Sequence, residues 1–365
     1  MGKNSSKFGG VKIELDSYVI SSGDKVSGKI HISINEELPP SELFLIFKGV
    51  ERTSWSEQHG KHRVHFSGSS VITKVKYILY SWNTPLVPGS ITLPFEFVSP
   101  TGIPGSFQYY GPDNLIAVVE YYFRVFIKNE KTALKDKQGL YVAGTEIYEK
   151  IPNEPKIARV LSCCCINKGQ ITMNLRWIND WYLYGKTIEC ILEIDNTRSL
   201  TKIESITATV YMGINVISGS GHKRYFRHDL MKTDYYIPIK KGGVLNAENG
   251  GRFSFDLNRT PCPLDLNLVH TSASKLMSSN FFVTFELNTG LCWLCCGDKL
   301  EYTSFFYVKP NRQFPAPEIP NIPEGWEPIM YRAVSIDYDV KNEVENNGMS
   351  QKLIEWKSSN GNKSS

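Results

Sequence analysis

One pattern repeats along this chain: short runs in which apolar and polar residues alternate, broken by turn residues. "VKIELDSYVI" begins it at Val11, "SSGD" turns the chain, and "KVSGKIHISI" alternates again. A period of two puts one set of side chains on each face, as in a half-buried strand. "SELFLIFKGVERTSW", "SSVITKVKYILYSW", "GSITLPFEFVSP" and "LIAVVEYYFRVFI" continue the theme, with Gly, Pro, Asn and Asp between them. No amphipathic helix of three turns interrupts this half. The expected fold is therefore all-β, with antiparallel strands layered as a sandwich.

Length divides the pattern. A chain of 365 residues is too long for one small core, so two domains are expected. The break falls in "YEKIPNEPKIARVLS", where Pro152 and Pro155 disfavour continuous ladder pairing. Strand patterning resumes in "GQITMNLRWI", "YGKTIECILEI" and "IESITATVYMGINVI", and runs on to "KLEYTSFFYV". The predicted organisation is a flexible N-terminus over 1–10, a sandwich over 11–155, a second over 156–309, and a tail over 310–365. The tail opens with a proline-rich, extended stretch. It ends in a polar, disordered one with a helical turn near Leu353 and Trp356. With Gly23 set on Gly185, Val26 falls on Ile188, Ile30 on Leu192 and Ile32 on Ile194, the mark of a duplication.

Composition narrows the function. At 41% hydrophobic and 21% charged residues the chain reads as an ordinary globular protein, and a net charge of +4 is too weak for a nucleic-acid binder. It has no long apolar run, and "MGKNSSKFGG" lacks an apolar secretory core. A cytoplasmic protein with reduced thiols is expected, and the glycosylation triplets at Asn4, Asn258 and Asn362 are incidental. Met1-Gly2 followed by Ser6 fits the N-myristoylation pattern, so Gly2 is a candidate lipid site. One acyl chain binds membranes weakly, and Lys3, Lys7 and Lys12 supply part of a second signal. Peripheral association with plasma membrane or endosomes follows.

The search for chemistry finds no GxSxG, P-loop, GxGxxG or HExxH, so neither an active site nor a required cofactor is expected. Cysteines are the sharpest signal. Of the 8 in the chain, most fall in "SCCCI" and "LCWLCCG". A structural zinc would take Cys163 and Cys165 with Cys292 and Cys295, and Cys164 and Cys296 are alternative thiols. S-acylation and packed free thiols are the other readings. Cys190 and Cys262 read as packing residues. His59, His62 and His65 alternate faces and read as a polar hairpin loop rather than a metal site. In "SGHKRYFRHD", Lys223, Arg224 and Arg227 suit the phosphate of a phosphoinositide or a phosphorylated tail, and a solvated hairpin is the alternative.

Several of these segments, in their order, resemble the arrestin family, in particular the α-arrestins. They are "YVISSGDKVSGKI", "FLIFKGVERTSW", "ITLPFEFVSPTGIPGSF" and "VVEYYFRVFI". Gly23, Val26, Gly28, Gly49, Glu51, Trp55, Leu93, Pro94, Pro104, Ser106 and Phe107 stand where that pattern places them. The second half is similar to an arrestin C-domain through its Cys-rich lead-in, Tyr184-Gly185 and Asp195-Asn196. The resemblance implies two tandem immunoglobulin-like β-sandwich domains. It also implies a non-enzymatic adaptor that binds cytosolic parts of membrane proteins and supports trafficking or endocytosis. Alternatives are a retromer-type coat subunit with the same paired fold and an arrestin-fold metal-binding sensor. Many α-arrestins recruit ubiquitin ligases through PPxY. Here Pro39-Pro40 is followed by Ser41-Glu42 and no PPxY occurs, so that role is not implied.

Overall fold

Alternation becomes strand wherever it was long. In a computed structural model the protein is described over residues 7–128, 133–144, 150–162, 166–179, 181–183, 186–257, 268–290, 299–310 and 327–336. The first half forms β1 (Gly9–Leu15), β2 (Val19–Ser21), β3 (Lys25–Ile34), β4 (Ser41–His59), β5 (His62–Trp82), β6 (Gly89–Val98), β7 (Phe107–Gly111), β8 (Leu115–Lys128) and β9 (Ala133–Ala143). One sheet runs β1-β3-β6; the other runs β2-β9-β8-β4-β5, with β7 on β8. Val26, Ile30, Ile32 and Ile34 of β3 and Leu93, Phe95 and Phe97 of β6 face the gap between the sheets and are buried. Phe47 of β4 and Phe123 of β8 meet them from the other side, with Phe47–Phe97 and Phe47–Phe123 centroids 5.0 and 5.1 Å apart. Offset and edge-on aromatic packing of this kind adds to plain area burial.

The second half repeats the plan. Its strands are β10 (Lys156–Ser162), β11 (Ile166–Trp177), β12 (Trp181–Leu183), β13 (Thr187–Asp195), β14 (Ser205–Ile217), β15 (Lys223–Tyr235), β16 (Val244–Leu245), β17 (Arg252–Asp256), β18 (Ser272–Ala273), β19 (Met277–Asn288) and β20 (Glu301–Lys309). In it β13 lies between β11 and β16/β17, as β3 lies between β1 and β6. Likewise β14 lies between β19 and β15, as β4 lies between β8 and β5. Even the short parallel pairings match, β2 on β9 and β12 on β20. The fold is all-β, two sandwiches of one connectivity, and the Val26–Ile188 alignment joins equivalent strands. Cys190 is buried in β13, where burial pushes its thiol well above the ordinary range.

The tail holds something the pattern did not announce. Two short strands, β21 (Ile329–Met330) and β22 (Val334–Ile336), lie parallel to β6 in the first sandwich. β21 pairs with Ile91–Thr92 and β22 with Phe95–Phe97, so the break between them coincides with Pro94, which has no N–H to donate. Pro94 sits inside β6, opposite Lys29 of β3 and level with the gap between the two short strands. Tyr331 stacks on Tyr80 at 4.9 Å and accepts a hydrogen bond from the Trp82 indole at 3.2 Å. Runs of two and three residues are too short to show a period, which is why composition alone read this stretch as tail.

Two glycines explain the spacing of the first half. A Cβ on Gly28 would stand 2.4 Å from the Glu14 carbonyl oxygen, and one on Gly49 would stand 2.4 Å from the Tyr121 ring. Tyr121 cannot swing away, because it is buried and its hydroxyl donates to Pro104 O at 2.6 Å. Gly49→Ala is expected to cost about 1–3 kcal/mol by overpacking. Gly10→Ala, where a Cβ would meet nothing within 4 Å, is expected to leave stability within about 0.5 kcal/mol of the parent. Urea midpoints of the two variants check both.

Candidate functional site at the seam between the sandwiches

The inward face of β4 changes partner along its length. Leu43, Leu45 and Phe47 point into the first core. Glu51, Thr53 and Trp55 continue the same face, all at 2% exposure or less, and meet the second sandwich. Glu51 Oε2 accepts from Ser274 Oγ at 2.5 Å and from the Leu276 main-chain N–H at 3.0 Å. Thr53 Oγ1 donates to Ile217 O at 2.7 Å. Gly68, opposite Thr53, lies so near that a Cβ would stand 2.8 Å from Ile217 O.

The turn between β14 and β15 supplies the other wall. Ser218 O accepts from Gly221 N, and Ser218 Oγ accepts from His222 N at 3.1 Å, with Gly221 at φ +84°. This turn lays the His222 ring on Phe66 at 4.3 Å and near Trp55 at 6.1 Å. His222 Nε2 is 3.1 Å from Glu57 Oε1, which also accepts from the Trp55 indole at 2.8 Å. The indole hydrogen bond, with His222 and His59 adding to it, holds the Glu57 carboxyl below its ordinary range.

The residues expected to bind anions are found here. Arg224 donates through Nη1 to Ser56 O at 2.8 Å and through Nη2 to Asp113 Oδ2 at 2.6 Å, from the second sandwich to the first. Asp113 and Asn114 have φ of 57° and 55°, and Leu115 N bonds to Pro112 O, so a tight turn with two left-handed residues presents Asp113. Arg227 donates Nε to Asp229 Oδ1 at 2.6 Å and lies 3.9 Å over the Tyr211 ring. The Arg224 and Arg227 guanidinium groups thus already hold protein carboxylates, and Lys223 is exposed at the start of β15. Arg224 of "SGHKRYFRHD" is part of the joint between the two sandwiches. Sequence could not show this, since Asp113 and Ser56 are more than a hundred residues away.

A third contact comes from "PGSF". Ser106 N bonds to Val142 O at 2.7 Å, Ser106 Oγ accepts from Val142 N, and Gln108 N bonds to Leu268 O at 3.2 Å. Phe107 is fully buried with its ring 5.9 Å from that of His270. A Cβ on Gly105 would stand 2.8 Å from His270 Nε2. Burial pushes His270 down to about 4, so it is neutral near pH 7. Tyr109 and His228 meet across the same seam at 3.0 Å. A cleft of about 90 Å3 beside it, bounded by Arg52, Gln108, Tyr110, Glu120 and Leu268, is smaller than the roughly 300–1,000 Å3 of small-molecule sites.

Gly2 and Cys163, Cys164, Cys165, Cys262, Cys292, Cys295 and Cys296 lie outside the described residues. Of the hairpin histidines, His59 and His62 flank the β4–β5 turn, and His65 Nδ1 is 3.2 Å from Ser56 Oγ. Among the described residues no group of His, Cys, Asp and Glu is arranged to hold a metal, and no helix is long and apolar enough to cross a membrane.

Comparison with known proteins agrees with this geometry. A family profile described as "Arrestin (or S-antigen), N-terminal domain" matches residues 11–145. The chain is 22% identical over 228 residues to "Arrestin domain-containing protein 17" of Caenorhabditis elegans, across 55% of this chain and 50% of that protein. The match thus spans half the length of that relative.

Glu51→Ala removes the acceptor of two donors, one a buried main-chain N–H, and is expected to cost about 1–3 kcal/mol by chemical denaturation. His270 predicts a pH dependence. The unfolded chain binds a proton near 6.5 and the folded one near about 4, so stability is whole above 6.5 and falls as pH drops towards 4. The full loss is about 3 kcal/mol. His270→Gln is expected to flatten the plot of unfolding midpoint against pH over that window.

Proposed function

We propose that the chain, whose residues 11–145 match the arrestin N-terminal domain, is a non-enzymatic adaptor that binds cytosolic parts of membrane proteins and supports their trafficking or endocytosis. The observation that carries this reading is the arrestin N-terminal domain over residues 11–145, followed by a second sandwich of the same connectivity. The seam supports it further. It is built from hydrogen bonds and one buried carboxylate, groups that fix geometry between two rigid bodies rather than turn over a substrate. Binding then falls to exposed loops, sheet edges and faces, where a rigid scaffold places its variable chemistry.

The working location is the cytoplasm, with peripheral association to plasma membrane or endosomes. Gly2 acylation would supply one anchor and basic residues the second. Clipping of the second sandwich by zinc at Cys163, Cys165, Cys292 and Cys295 is a further part of the proposal. Zinc content of the purified protein tests it, and metal-free, folded protein overturns it. The family match lends no support to the coat-subunit or metal-sensor alternatives.

Proximity labelling in cells, with the native chain and Gly2→Ala side by side, tests the main reading. The expected neighbours are membrane proteins with cytosolic tails, with fewer of them around Gly2→Ala. A labelled set without membrane proteins overturns the adaptor reading. Identical neighbours and membrane fractions for the two chains overturn the lipid-anchor part alone.

A further inference from the structure

The outward face of the β9-β8-β4-β5 sheet is basic in a way the fold does not require. Register places its side chains in rows. One row runs Lys137 (β9), Arg124 (β8), Ile46 (β4) and Lys76 (β5). The next places Tyr122, Lys48 and Lys74 side by side, and on the other flank Lys135 stands beside Phe126 and Phe44. Lys128 extends the face next to Glu42. All these cations are exposed except Lys48, which is half-buried. Acidic groups on the face are Glu42 and Glu120, the latter already paired with Arg52 at 3.1 Å. Among the described residues, none of Lys48, Lys74, Lys76, Arg124, Lys135 and Lys137 enters an ion pair. This face carries more positive charge than the whole chain carries net, which is +4.

Two of its neighbour pairs are like-charged and directly opposed across strands, Lys48 with Lys74 and Arg124 with Lys137. Such pairs on a shared face weaken a sheet. Opposite charges at the same positions would serve folding better, so the arrangement points to an anionic partner. Aromatic rings partly offset the repulsion. Lys76 Nζ lies 4.1 Å from the Phe44 centroid, and Lys137 Nζ lies 3.9 Å from that of Tyr122.

The spread of the cations selects the partner. They occupy four strands about 4.8 Å apart, repeating at roughly 7 Å along each strand, and do not converge on a point. A single phosphate reaches only two or three of them, and an extended acidic peptide follows only one line through the grid. A plane of anions meets them all. Ile78 at 55% and Val71 at 49% exposure stand at the β5 edge of the same sheet, apolar groups that suit the boundary between headgroups and acyl chains. We propose that this sheet face docks the first sandwich onto an anionic lipid surface, with Lys48, Lys74, Lys76 and Arg124 at its centre. The inference deepens the membrane-association part of the proposed function, and its test makes no use of cargo.

The test uses the full chain made without N-terminal acylation and phosphatidylcholine vesicles with or without phosphatidylserine. Binding to the phosphatidylserine vesicles is expected at about 0.05 M salt and is expected to be lost at about 0.5 M, where screening is short-ranged. Each cation at an anionic surface contributes about fivefold in affinity, so Lys48→Ala/Lys74→Ala/Lys76→Ala should weaken binding on the order of a hundredfold. The same three substitutions at exposed Lys232, Lys240 and Lys241 of the second sandwich should leave it unchanged. A merely structural role is separated by Lys74→Glu. That change relieves the Lys48 repulsion, so the unfolding midpoint should hold or rise while vesicle binding falls. Equal binding to both vesicle types, or undiminished binding by the triple variant, overturns the proposal. So does capture of a polyacidic peptide by this face with no binding to vesicles. Cargo labelling is read separately, so failure here leaves the adaptor reading intact.

Discussion

The hairpin of β4 and β5 is longer than the sandwich it belongs to. Strands of 19 and 21 residues span about 60–70 Å, where about 17–20 Å is typical. The proximal half closes the first core; the distal half has to be covered by something else. The second sandwich covers it. Because the side-chain period is two, the inward face of β4 passes without a break from Phe47 to Glu51, Thr53 and Trp55. Its chemistry turns from apolar to polar where its partner turns from core to neighbouring domain.

The choice of polar groups at that seam has a physical consequence. A buried carboxylate such as Glu51 is costly unless donors meet it, and here a hydroxyl and a main-chain N–H do so. Hydrogen bonds are directional, and each contributes only about 0.5–1.5 kcal/mol net. The seam therefore defines an orientation more than it adds stability. Arg224, Thr53 and His222 set three separate points of contact on one hairpin, and Gly68 lets the backbones approach closely enough at Thr53 and Ile217.

Much of the frame was legible in the sequence. Alternation marked nearly every long strand, and Gly23 set on Gly185 gave the duplication that β3 and β13 realise in space. Gly28 and Gly49 were legible as marks of the family pattern, and the structure names what each approaches. The seam was not legible, because its partners are remote: Thr53 and Ile217 are 164 positions apart. Glu51 and Trp55 were recognised as family marks with no role attached. Arg224 looked like a free cation for the same reason, since nothing local points to Asp113. The basic face was hidden differently. Its lysines are scattered from Lys48 to Lys137 among ordinary strand residues, and only register gathers them.

The two sandwiches share a connectivity but not an outward chemistry. On the second sandwich, the face that corresponds to the basic one carries Tyr211 stacked on Phe282 at 5.1 Å. Its cations Arg227 and Lys232 alternate along β15 with Asp229 and Asp234, and Arg227 lies over that tyrosine and donates to Asp229. There acidic residues stand among the cations; in the first sandwich Lys48 faces Lys74 and Arg124 faces Lys137 with no carboxylate between them. A strand's two faces are independent in sequence, so the inward set can preserve a fold while the outward set changes freely. Duplication thus fixed the frame twice, and the surfaces diverged on it. Opposed cations stand on one copy alone, which is what an anion-binding surface on one sandwich requires.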